Sequence, residues 1–165
     1  MNRGQKFFAF LGRVLISAIF ILSGVHKIMD WQGSETFITN LICDLHASIM
    51  NYPMIETVLE NLLPYNTVIL IVVVVLELVG GLLVFFGWKV RTGALLLILF
   101  LIPATLLAHR FWIFQGPERE LEMAMVLKNA AILGGLFTLT VFGKGDSLQS
   151  SSGGFKGGSP FGKDS

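Results

Sequence analysis

A chain of 165 residues in which 53% are hydrophobic and only 14% charged is one domain's worth of sequence, but not a soluble one. Soluble domains carry roughly 25% charged residues. A net charge of +1 with no clustered basic residues excludes an electrostatic nucleic-acid surface. The single cysteine, Cys43, excludes an internal disulfide, a C-x-x-C redox pair and a cysteine-rich metal site, so no metal site is expected.

Apolar runs of about 18 residues or more read as bilayer spans, since about 20 helical residues cross a hydrocarbon core about 30 Å thick. The first run, about residues 7–29, reads "FFAFLGRVLISAIFILSGVHKIM". It is too long for a signal peptide, Arg13 interrupts it and no A-x-A site follows, so a retained helix is expected. The outer connection, about residues 30–64, carries "ETFITNLICDLHASI" and "MIETVLENLL" with apolar residues at helical spacing. One or two short surface helices are expected there, capping the bundle. The second span, about residues 65–87, is nearly pure hydrocarbon with Glu77 near its middle. The third, about residues 93–114, contains Pro103, which suggests a kink inside the bundle. The fourth covers about residues 124–142 and ends the membrane domain at Gly143. Residues 144–165 are rich in glycine, serine and lysine and are expected to form a disordered tail. The fold class is therefore all-α, an integral membrane four-helix bundle.

Orientation follows from the lysines and arginines of the short loops. Arg3, Lys6, Lys89, Arg91, Lys144, Lys156 and Lys163 fall on one side, whereas no lysine or arginine lies between Ile28 and Trp88. Both termini are expected on the cytoplasmic face of a bacterial-type inner membrane. Trp31, Trp88 and Trp112 fall at span ends, as an interfacial aromatic belt requires.

Charged residues inside a bilayer are rare and face protein or water rather than lipid. At about 1.5 Å of rise per residue, Arg13 lies roughly 9 Å inside the first span, and Glu77 lies near mid-membrane. Lys128 and Asn129 lie within roughly 10 Å of the outer end of the fourth span. Helical spacing puts Arg13, Ser17, Phe20, Gly24 and Lys27 on one stripe. Glu77 shares a face with Gly80, Gly81 and Val84, Thr105 with His109 and Trp112, and Lys128 with Ala131, Gly135 and Thr138. Small residues beside the charges, namely Gly24, Gly80, Gly81, Gly134 and Gly135, suit close approach of helices. The expected interior holds Glu77 with either Arg13 or Lys128, and His109 above it. Two readings of this network stand: ion pairs that fix helix register, or a site that exchanges protons and binds a ligand. Lys27 and Arg110 lie near enough to the interface for their charged heads to reach the headgroups.

These features, in this order, resemble the DoxX family of small four-helix membrane proteins. The matching residues are Arg13 followed by "FILSGVHK", then "ELVGGLLVFFG" with Arg91 soon after, His109-x-Phe111-Trp112, and Lys128-Asn129 ahead of Gly134-Gly135. The resemblance runs over about residues 7–143. It implies a link to thiosulfate:quinone oxidoreduction or to redox-stress membrane complexes, and it implies nothing about the tail.

Three functions follow as expectations. The first is a quinone-facing or anchoring subunit of a membrane redox complex, with His109 and Lys128 bonding a quinone carbonyl and Glu77 exchanging protons. The chain has no sequence motif for flavin, haem or an iron–sulfur cluster, so no covalently bound cofactor is expected and electrons would come from an oxidoreductase partner. The second is a non-enzymatic scaffold or assembly subunit. The third is a small-anion carrier, against which the lack of an inverted repeat argues.

Overall fold

The computed structural model describes residues 3–48, 57–58 and 61–143. The expected disordered tail, residues 144–165, lies outside the described residues, as does most of the second expected surface helix. The described chain is helical, and no strand occurs among the described residues. Four helices are long and apolar enough to cross a membrane. They are α1 (Arg3–Met29), α3 (Asn66–Phe85), α4 (Val90–Ala108) and α5 (Gly116–Phe142), while α2 (Trp31–Ser48) lies on the outer connection.

Element boundaries follow local chemistry. Only Asp30 separates α1 from α2, and its carboxylate caps the new helix by accepting from the Gly33 N–H at 3.1 Å. A 3₁₀ turn at Leu63–Tyr65, opened by Pro64, leads into α3. Gly87, at φ 69°, closes α3, and the chain re-enters α4 through Lys89 at φ 51°. The third span is shorter than the sequence suggests: α4 ends at Ala108, and His109 turns out of the helix. Pro103 lies inside this continuous helix. The fourth span starts earlier than expected, because extended Gln115, Gly116 at φ 63° and Pro117 form a helix start ahead of the charged residues Glu118 to Glu122. Those first turns are polar enough to stand beyond the hydrocarbon.

The chain crosses back and forth, so α1 packs on α3, α3 on α4 and α4 on α5, with α1 and α5 meeting sparsely. The inner faces of α3 and α4 supply most buried positions, including Leu70, Val74, Val84, Leu97 and Leu101. Phe20 from α1 and Leu136 from α5 complete the core, with Phe100 edge-on to Phe20 at 6.4 Å between ring centres. Outward residues such as Leu22, Val72, Leu99 and Leu127 are apolar and exposed, as lipid contact requires.

Glycine permits the tight crossings. A Cβ at Gly80 would stand 2.8 Å from the Leu97 side chain and 3.1 Å from the Gly93 carbonyl, and one at Gly24 would stand 2.8 Å from Leu78. Gly81 meets Ile21 and Gly135 meets Ile16 in the same way. Gly134 departs from expectation: it faces open space and makes no helix contact.

α2 lies across the outer end of the bundle. Its Thr39 hydroxyl accepts from Asn66 at 2.9 Å and its Glu35 accepts from Thr67, which ties it to the start of α3. Arg110, just past α4 and buried, reaches the α2 residue Asp44 at 3.5 Å.

Candidate functional site

Glu77 is the most enclosed charged group, 1% exposed. It owes this position to the face it shares with Gly80, Gly81 and Val84, all buried against neighbouring helices. Its partner is Lys27 of α1, whose Nζ stands 2.9 Å from Oε2 and 3.0 Å from Oε1. Ser23, one turn before Lys27, donates to Glu77 Oε1 at 3.0 Å and accepts from Lys27 Nζ at 2.6 Å. The absence of a side chain at Gly24 lets α1 come close enough for this triad to form. The ammonium also lies 5.9 Å from the centre of the Phe100 ring on α4. Three acceptors thus face the three protons of one lysine, and the triad closes on itself.

This corrects the expectation that Glu77 pairs with Arg13 or Lys128. Arg13 lies on the far side of the core, near the end of the bundle that carries the start of α1 and the end of α5, with Gly12, Thr138 and Leu139 beside it. Lys128 is exposed on α5 and donates to the Met125 sulfur at 3.3 Å. Of the expected α5 stripe only Gly135 packs inward, against Ile16, whereas Lys128, Ala131 and Thr138 are exposed. The inward stripe runs through Asn129 and Leu136, with Ile132 and Leu133 partly buried beside them.

The remaining candidates form two separate contacts. Asn129 is buried and donates to Thr105 Oγ1 at 3.0 Å, while that hydroxyl donates to the Leu101 carbonyl at 2.7 Å. His109 Nδ1 meets Glu122 Oε2 at 2.8 Å, joining the outer ends of α4 and α5. The expected single network of Arg13, Lys27, Glu77, His109, Lys128 and Asn129 is therefore divided. One triad lies in the α1–α3 interface, and two clasps join α4 to α5.

Ser23, Phe100 and Glu122 were absent from the sequence-derived set. The spacing of four between Ser23 and Lys27 was a visible signal, because such pairs share a helix face. Nothing in the sequence marked Phe100 or Glu122, which reach their partners through tertiary packing.

Comparison with known proteins agrees with this architecture. The profile of the DoxX family matches residues 8–110, which hold α1 to α4 with the whole Lys27–Glu77 triad. The chain is similar to the inner membrane protein YphA of Escherichia coli strain K12, with 24% identity over 135 residues and 82% of each chain covered. No solved structure matches. With more than half of its length inside the profile and four apolar spans around a buried glutamate paired with Lys27, this chain belongs to the DoxX family of multi-pass membrane proteins.

Proposed function

We propose that this protein is an anchoring subunit of a redox assembly in a bacterial-type inner membrane, with both termini cytoplasmic. One observation carries the anchoring role: the mid-membrane carboxylate is fully engaged by Lys27 and Ser23 of a single neighbouring helix. An ion pair engaged between two helices of one chain fixes their register without a ligand, which supports a structural role for Glu77. The redox setting comes from what the DoxX resemblance implies, and the inner-membrane setting is supported by the similarity to an inner membrane protein of Escherichia coli.

A second reading, direct contact with a quinone, is favoured by the exposure of Lys27 at the edge of the triad. The Lys27 side chain is 25% exposed and stands beside an aromatic ring, a surface on which a quinone carbonyl and ring could lie. Two measurements separate the readings. On a blue-native gel of gently solubilised membranes, the tagged protein is expected to migrate within a band that reduces a tetrazolium dye. Migration only as a free small species would sink the anchoring proposal. Solvent extraction of the purified protein is expected to release no stoichiometric isoprenoid quinone. Quinone present in the native protein and lost in Lys27→Met and His109→Ala would establish the second reading instead.

A further inference from the structure

We draw no further inference here: the strongest candidate, the outward face of α5 on which the exposed residues Ala130, Gly134 and Thr138 recur at four-residue spacing below Lys128, is an unpartnered helix face, and nothing in the structure shows what covers it.

Discussion

Side chains on an α-helix lean toward its N-terminus, and this settles which cation Glu77 meets. Lys27 stands near the outer end of α1, but its side chain leans back into the membrane. Glu77 stands on α3, which runs the opposite way, so its carboxylate leans outward, and the two meet between the levels of their backbones. Arg13 leans away from Glu77 toward the terminal end, and Lys128 leans outward from α5 toward the interface. Depth counted from backbone position alone therefore favoured the wrong two cations. The sequence did disclose the correct α1 stripe, since Ser17, Phe20 and Gly24 are buried and Arg13 and Lys27 are partly so. Removing Lys27 leaves the enclosed Glu77 without its cation, which costs about 3–5 kcal/mol for buried pairs, whereas removing Glu77 leaves a lysine that is 25% exposed. Lys27→Met is expected to lower stability by that order in a detergent unfolding titration, Glu77→Gln by less, and the double variant is expected to recover much of the Lys27→Met loss. Additive losses would show that the pair does not hold α1 to α3.

At the scale of helices, α3 was legible and α5 was not, for a reason specific to membranes. α3 places Glu77, Gly80, Gly81 and Val84 together, and polar and small residues at helical spacing mark a protein-facing stripe. On α5 apolar residues occupy every face, because lipid is as apolar as a core, so periodicity could not separate inward from outward. The charged Lys128 then drew the inferred stripe one residue from the true one, which Asn129 and Leu136 define. The glycines test this assignment directly. Gly80→Ala pushes a methyl into Leu97 and toward backbone of α4, an overpacking that costs about 1–3 kcal/mol. Gly134→Ala meets nothing and is expected to leave the melting temperature unchanged or slightly raised. Equal destabilisation by both would contradict the packing of α5.

For the whole molecule, span number was readable because bilayer thickness sets helix length, whereas span limits were less so. His109 to Phe114 are apolar enough to extend a span by composition, yet the chain leaves the helix at His109 and turns toward α5. Four apolar helices bring the start of α1 and the end of α5 to one end of the bundle, and the distribution of basic residues predicts that end to be cytoplasmic. A reporter enzyme fused after Gly143 is expected to give a cytoplasmic signal, and one inserted between Gln115 and Gly116 an external one. The reverse pattern would invert the orientation. Partner recognition and chemistry were not legible, because the side chains that would carry them are also the ones that hold the helices.

The Lys27–Glu77 pair has a consequence for how the protein is made. A carboxylate inserted alone at the centre of a membrane helix is disfavoured by about 2.5–3.5 kcal/mol on biological insertion scales. Synthesis runs from the N-terminus, so α1, with its cation, leaves the ribosome before α3 brings the acid. The counter-charge is already waiting when Glu77 arrives. A partner on α5 would come only after the intervening span α4 had been laid down, and the acid would have stood unescorted in lipid meanwhile. The order of charges along the chain thus makes α1 a chaperone within the same polypeptide for the helix that follows.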